Sequence, residues 1–530
     1  MNTSSCFSMS IRREVKKIGQ RVVLQRNIIM KLHNKPVGRN PGYKEAVEAL
    51  NSLQTNAQLL QKLRANKALG QENNVIRTKK YLERSGVSLD RLDRELSVIH
   101  VSGTKGKGST CVMCEAILRQ MGYKTGFFSS PHLVAVRERI RINQAPLSET
   151  EFTKHFWTVY NKLAAAKDDE HDMPSYFKFL TVMAFNVFLT EKVDVAIIEV
   201  GIGGEYDCTN VFKRPAVVGI SSLGLDHTSL LGSTIEDIAW QKGGIMKPGT
   251  LAFTSPQPPS AATVLHQRAV ERKCPLWEVP PLSTYDWQGQ EMSVGLRGRV
   301  QQINASLALQ LANAWQNRNM FDKSKAGYVG VAKAFPVSHP VAEGLKHCSW
   351  PGRYQILTRK SIHGTCTYYL DGAHTMESIE LCAQWFHQAT NNIVSRGECR
   401  HTLIYNVTGD RDASELLSPL VSCHFDSALF CPNVLSCDTK AADLTNHMVT
   451  SRQQLDRCEE NKKTWLGLER QTNVFANEVK TFGSVAATLK HIESQPGDHQ
   501  VLVTGSLHLI GTVLSALDPD LNSFSAQPIR

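Results

Sequence analysis

The run Val98-Ile99-His100-Val101-Ser102-Gly103-Thr104-Lys105-Gly106-Lys107-Gly108-Ser109 decides the fold. Val98 to Val101 is a short strand-like run that ends at a glycine-rich turn, and residues 110–120 then read as a helix. Glycines in such a turn let backbone N–H groups wrap a phosphate, and the helix N-terminus adds its positive dipole end. Gly103, Thr104, Lys105, Gly106, Lys107, Gly108 and Ser109 are therefore candidate phosphate-binding residues, with Lys107 reaching the outer phosphates and Ser109 meeting a magnesium ion. The spacing departs from the common P-loop: Gly108 separates the lysine from the serine, and only two residues precede the second glycine.

Outward from this turn, strands alternate with helices. Residues 125–128 read as a strand, Pro174 sits where a helix would start, and residues 177–189 form its amphipathic body. Residues 193–200 (VDVAIIEV) make a buried strand, 216–221 another, and 234–242 a short helix. Residues 256–298 show no clear periodicity, and a second series opens near Trp350 with strands at 367–370, 403–407 and 500–504 and helices at 376–388 and from Leu507. This alternation implies βαβ units and an α/β fold with a mostly parallel sheet. The expected organisation is a leader (1–40), a nucleotide-binding central domain (41–345), and a smaller C-terminal α/β domain (346–530) with a polar surface insertion near 436–471.

Composition excludes several classes. The 530 residues are 42% hydrophobic and 21% charged, the balance of a globular enzyme. No apolar run approaches the roughly 18 residues that a spanning helix needs. Thirteen cysteines fit a reducing compartment, and Cys111 and Cys114, a CxxC inside the helix after the glycine turn, read as core packing. The net charge is +11, but residues 1–40 carry nine Lys/Arg against Glu14 alone, which leaves +3 for the rest. A nucleic-acid-binding surface is not expected on so nearly neutral a body. The basic, serine-containing leader has the composition of a mitochondrial transit peptide, with a disordered basic tail as the alternative. No period of 20–50 residues appears, so solenoids and propellers are excluded.

The chain resembles the folylpolyglutamate synthases of the Mur ligase superfamily. The likeness runs through GTKGKGS (103–109), SSPHL (129–133), RERIRIN (137–143), EVGIGGEYDCTN (199–210), LGLDHTSLLG (223–232), IAWQKGGIMKPG (238–249), WPGRYQ (350–355), YYLDGAHT (368–375) and VTGSLHLIG (503–511), in order over roughly residues 45 to 520. It is nearest to the eukaryotic members, with their basic leader and long C-terminal insertion. The resemblance implies a P-loop-containing, Mur-ligase-like ATPase domain and an ATP-dependent amide ligase. ATP would phosphorylate the terminal γ-carboxylate of a reduced folate's glutamate tail, and the amine of free L-glutamate would displace the phosphate. A dihydrofolate synthase, or a bifunctional enzyme adding the first glutamate to dihydropteroate, stays open as the alternative.

The resemblance also assigns residues. Glu199, His227 and Ser130 correspond to magnesium ligands, although a nitrogen ligand is unusual for that ion. Ser129 is a possible register alternative for Ser130, and Ser129, Pro131 and His132 are candidate folate contacts. Lys242 corresponds to a lysine often carbamylated in the superfamily; an ordinary helix-end lysine at the negative dipole end is the other reading. Arg353 and Asp371 correspond to ATP contacts from the C-terminal domain, and Lys107, Lys242 and His374 are the candidate catalytic residues. Thr375 stands where many bacterial relatives have Asn, which leaves the glutamate pocket open. The implied cofactors are ATP as substrate and Mg2+, with a monovalent cation such as K+ a further candidate. The implied partners are small molecules only, in a monomer residing in the mitochondrial matrix and cytoplasm, with peripheral contact with the mitochondrial inner membrane as a further candidate.

Overall fold

Strand β1 (Val98–Ser102) lies near the middle of a nine-stranded sheet, between the strand that follows one crossover and the strand that begins the next. Its neighbours are β5 (Val195–Glu199) and β6 (Val217–Ile220), both parallel to it, with Val101 opposite Glu199 and Ser102 opposite Ile220. The remaining strands are β2 (Thr125–Phe128), β3 (Ile140–Ile142) and β4 (Ala145–Pro146) on the β5 side, and β7 (Leu251–Thr254), β8 (Leu276–Glu278) and β9 (Val329–Val331) on the β6 side. Only β3 and β4 run antiparallel to their neighbours. The computed structural model describes residues 42–54, 67–170, 172–296, 298–318, 327–391, 399–407, 411–436 and 451–518. The basic leader lies outside them.

Both faces of the sheet are covered, as a parallel sheet requires. On one face pack Phe128, Phe179, Phe185 and Phe188, the last three from the Tyr176–Glu191 helix. On the other, the Lys107–Gln120 helix packs against Arg299–Gln316 and His339–Lys346. Cys111 and Cys114 are buried in that layer, the packing role read from the sequence.

A second sheet has the order β10 (Gln355–Ser361), β11 (Gly364–Leu370), β15 (Asp498–Thr504), β12 (Cys399–Tyr405), β13 (Ser427–Phe430) and β14 (Glu478–Thr481), antiparallel only at β10–β11. Its Leu507–Leu517 helix meets the first domain closely: a Cβ on Gly511 would lie 1.8 Å from the Leu133 carbonyl oxygen, so only glycine permits the approach. Among the described residues no helix is long and apolar enough to cross a membrane.

Four features differ from the sequence reading. The helix after the glycine turn starts at Lys107, not residue 110, because Gly106 at φ 86° caps it and the turn itself supplies the first helical residues. The stretch 256–298 contains the Pro259–Glu271 helix and β8; the helix was hidden because its buried stripe Ala261, Leu265, Arg268 and Ala269 includes an arginine. The polar insertion near 436–471 carries a helix, Ser451–Thr472, whose Cys458, Trp465 and Leu468 are buried in the second domain's core; residues 437–450 lie outside the described residues. Pro174 stands before the helix rather than in its first turn, with Ser175 at the N-cap.

Candidate active site

The carboxyl ends of β1, β5 and β6 converge on the glycine turn, the edge where ligands collect in open α/β sheets. Gly103 has φ 147°, and a Cβ there would fall 2.0 Å from Ser221 Oγ; one on Gly106 would fall 2.2 Å from Asn304 Oδ1. The turn therefore takes this path only with glycine at both places. The amides of Thr104 and Lys105 donate to the Ser222 carbonyl at 3.0 and 3.1 Å, and Thr104 Oγ1 donates to the Gly224 carbonyl at 3.0 Å. Those two amides are thus tied to the loop after β6 rather than turned toward a phosphate. The cradle falls instead to the first turn of the Lys107–Gln120 helix, which contains Gly108 and Ser109 and whose leading amides have no carbonyl one turn earlier.

Two lysines meet at this turn. Lys107 Nζ donates to the carbonyls of Gly103 (3.0 Å) and Thr104 (3.5 Å). Lys242, in the Ile235–Gly243 helix and 3% exposed, donates to the same Gly103 carbonyl at 2.7 Å. Burial, with Lys107 beside it, pulls the Lys242 pKa down to about 7. Lys105 faces Asp226 at 3.5 Å, and its pKa is also lowered by burial.

Glu199 ends β5 and is 6% exposed. Its Oε2 accepts the Ser130 amide at 3.1 Å, and both its oxygens lie 3.6 Å from where a Gly108 Cβ would be. Burial raises its pKa, against which the charges of Lys107, Arg353 and Arg139 act. Ser129 is buried, its amide donating to the Arg139 carbonyl at 3.1 Å, and Pro131 stands exposed at the rim after a cis peptide. His132 is buried, with Nδ1 accepting from Arg139 Nε at 2.8 Å, so it braces the loop from inside. Glu138 holds the same loop by accepting the amides of Leu133 (2.9 Å), Val134 (2.8 Å) and Ala135 (2.5 Å).

His227 adopts a left-handed conformation at φ 51°, its amide donating to Asp226 Oδ1 at 2.9 Å. Burial lowers its pKa, with Asp226 acting against it and Lys107, Lys242 and Lys105 in the same direction, which favours the neutral imidazole that a metal ligand needs. Among the described residues no group of three His, Cys, Asp or Glu is gathered tightly enough to hold an ion alone. Magnesium rarely uses such a cage: it takes one or two carboxylates and completes its shell with water and phosphate oxygens. Glu199 supplies one such carboxylate, 3.6 Å from where a Gly108 Cβ would be.

From the second domain, the turn Trp350–Gln355 brings Arg353 to the glycine turn, its amide donating to the Trp350 carbonyl at 3.3 Å. Arg353 acts electrostatically on Glu199, Lys105, Asp371 and His374, which places it between the two domains' contributions. Asp371 is 4% exposed and both its oxygens accept backbone amides of its own domain, Tyr354 at 3.0 Å and Ala373 at 2.9 Å. Burial raises its pKa. His374 Nδ1 lies 2.7 Å from the Gly372 carbonyl, which can only accept, so the proton sits on Nδ1 and Nε2 keeps its lone pair. Burial takes the His374 pKa down to about 4. The Thr375 hydroxyl lies 2.9 Å from Ser378 Oγ, within its own helix start.

Sequence reasoning left Arg139, Glu138, Asp207, Asp226 and Trp350 without roles, although each lies in or beside a quoted motif. Asp207 is typical: it accepts the amides of Ile202 (3.0 Å) and Thr209 (2.9 Å) and so shapes the loop after Glu199. A buried carboxylate near glycines was its available signal.

Known proteins bear on this arrangement. The family described as "Dihydrofolate synthetase, C-terminal domain" matches residues 354–516. A Cricetulus griseus protein described as "Folylpolyglutamate synthase, mitochondrial" is 42% identical, over 92% of this chain and 94% of its own. A Homo sapiens protein of the same description is 43% identical over the same shares. The crystal structure of a Thermotoga maritima folylpolyglutamate synthase superimposes with a TM-score of 0.63 at 24% identity, over 88% of this chain and 98% of that one. With identity at this level over nine-tenths of its length, the chain belongs to the folylpolyglutamate synthase family.

Proposed function

We infer that this ligase joins L-glutamate to a folate, at the expense of ATP, in the crevice between Lys107, Lys242 and Glu199 of the first domain and Arg353 and His374 of the second. The single observation that carries the site is the convergence on one glycine turn of two lysines, a buried carboxylate and an arginine from the turn that leads into the other sheet. A carboxylate is a poor electrophile, and two anions have to meet. The γ-carboxylate oxygen of the folate tail attacks the terminal phosphorus of ATP, the P–O bond to ADP breaks, and an acyl phosphate results. Lys107 and Arg353 face the charge that develops on the transferring phosphoryl group. The glutamate amine then attacks the acyl carbon, a C–N bond forms, and inorganic phosphate leaves.

Attack makes the nitrogen more acidic, and a base within reach has to take its proton before the adduct collapses to the amide. Nε2 of His374, unprotonated at neutral pH, serves as that base. Glu199, Ser130 and His227 would hold Mg2+; the ion neutralises phosphate charge when bound. Lys242 becomes a carbamate in the working enzyme. Pro131 lies at the folate rim, with Ser129 and His132 supporting it from within.

The central domain spans about residues 41–345 and the C-terminal domain 346–530. The leader directs a mitochondrial pool, in keeping with the mitochondrial descriptions of the hamster and human relatives; a second pool is cytosolic. Addition of the first glutamate to dihydropteroate is the second reading, and the description of the family matching residues 354–516 favours testing it. Lys107→Ala tests the site. Its removal from a transferring phosphoryl group costs about 10²–10³ in turnover, and a variant keeping more than half of wild-type turnover at saturating ATP would remove Lys107 from this role.

A further inference from the structure

Arg141 is charged, 3% exposed, and outside the machinery described above. It lies on β3 opposite Phe127 of β2, and its guanidinium stands 5.6 Å from the Phe127 ring centre and 4.6 Å from that of Trp350. Phe127 and Trp350 themselves meet edge to face at 5.6 Å. Behind the arginine is Glu115, fully buried on the same helix that begins at the phosphate turn. Glu115 Oε1 accepts the Gln144 amide at 2.9 Å, while its Oε2 and Arg141 Nε have no hydrogen-bond partner among the described residues. The two charges attract one another through the interior without a direct hydrogen bond between those atoms.

Two buried charges held at such a cost of desolvation need a purpose beyond stability, since an apolar pair of similar volume commonly serves a core as well. The ring they hold supplies one. Trp350 Cζ2 lies 3.6 Å from where a Gly108 Cβ would be, and the Trp350 carbonyl accepts the Arg353 amide. The ring thus touches the first turn of the phosphate helix at one end while its backbone fixes the arginine of the second domain at the other.

We propose that Arg141, held by Glu115, is a positioning residue for ATP: it clamps Trp350 against Gly108 and thereby sets Arg353 relative to the phosphate turn. The inference rests on the site reading given above. Cation–aromatic stacking is stronger where water is excluded, and small displacements of phosphate-facing groups are expensive in rate.

The test compares Arg141→Met, Arg141→Lys, Glu115→Gln and the double variant Glu115→Gln/Arg141→Met, with Lys107→Ala alongside, in thermal melts and in steady-state kinetics with ATP varied. At pH 8, where Glu115 is ionised in the wild type, Arg141→Met removes the cation facing it and lowers Tm; the double variant, with neither charge left, recovers much of that loss. The KM for ATP stays raised about tenfold in both, with a smaller change in kcat, because the ring is no longer held. Arg141→Lys, which keeps a cation over the ring, recovers most of the KM. A KM for ATP that returns to wild type together with Tm in the double variant, or that never moves, overturns the proposal and leaves the pair purely structural. If Lys107→Ala also turns over normally, the site reading itself has failed, a separate result.

Discussion

Lys242 and Lys107 donate to one acceptor: the Gly103 carbonyl oxygen lies 2.7 Å from Lys242 Nζ and 3.0 Å from Lys107 Nζ. Burial of Lys242, and after it the repulsion between two ammonium groups on one carbonyl, lowers its pKa. With its pKa near 7, Lys242 is about half neutral at neutral pH. The neutral amine is the form that attacks CO2, releasing a proton and leaving a carbamate. The new anion would sit beside Lys107, turning that repulsion into attraction.

Lys242→Ala should therefore lose most glutamate-dependent turnover and regain part of it in acetate or another short-chain carboxylate, which can occupy the vacated anionic position. Turnover at matched ionic strength, with chloride as control, measures this. A crystal structure of active enzyme with a bare amine on Lys242 would contradict it.

Arg353→Ala should raise the KM for ATP and lower kcat, since its charge is shared among Glu199, Lys105 and His374 across the crevice. Asp371→Ala should additionally lower Tm. It removes the acceptor for the Tyr354 and Ala373 amides, and an orphaned buried donor costs about 1–3 kcal/mol. Melting curves and ATP titrations separate the two effects, and unchanged kinetics in both variants would take the second domain out of the active site.

The strand, glycine turn and helix around residues 98–120 were legible because phosphate binding imposes local sequence rules: glycine where φ is positive, a strand before, a helix after. The other site residues followed only from likeness to a family, and the order of the strands was not read at all. What could not be read was long-range. That Thr104 and Lys105 spend their amides on Ser222, or that His132 faces Arg139, depends on loops from different crossovers meeting. The Ser451–Thr472 helix looked like a polar insertion because its buried Cys458, Trp465 and Leu468 are sparse among charges. The roles of Glu115 and Arg141 are invisible in sequence for a similar reason, since a charged residue in an amphipathic pattern reads as solvent-facing.

Stability should carry a signature of Glu115. Burial raises its pKa to about 7, above the ordinary carboxylate range. Between about pH 4.5 and 7 the folded state therefore binds more protons at this site than the unfolded state. Stability from this group is present below that window and is lost as pH rises through it. Glu115→Gln should flatten the fall in Tm across the window relative to wild type. Parallel Tm–pH curves for the two proteins would show that Glu115 does not titrate there.

Residues 1–40, which lie outside the described residues, carry nine basic side chains against one acid and should direct a fused fluorescent reporter to mitochondria. Initiation at Met30 would omit six of those charges and produce a cytosolic form with the same chemistry. A wholly cytosolic reporter would sink the targeting claim.

The most direct measurement is product formation by purified protein given ATP, Mg2+, labelled L-glutamate and either tetrahydrofolate or dihydropteroate, for wild type and Lys107→Ala. The account predicts a tetrahydrofolate product lengthened by one glutamate, with one ADP and one phosphate released per amide, and loss of that product in the variant. Phosphate release that does not depend on glutamate, or amide formation with dihydropteroate alone, would contradict it.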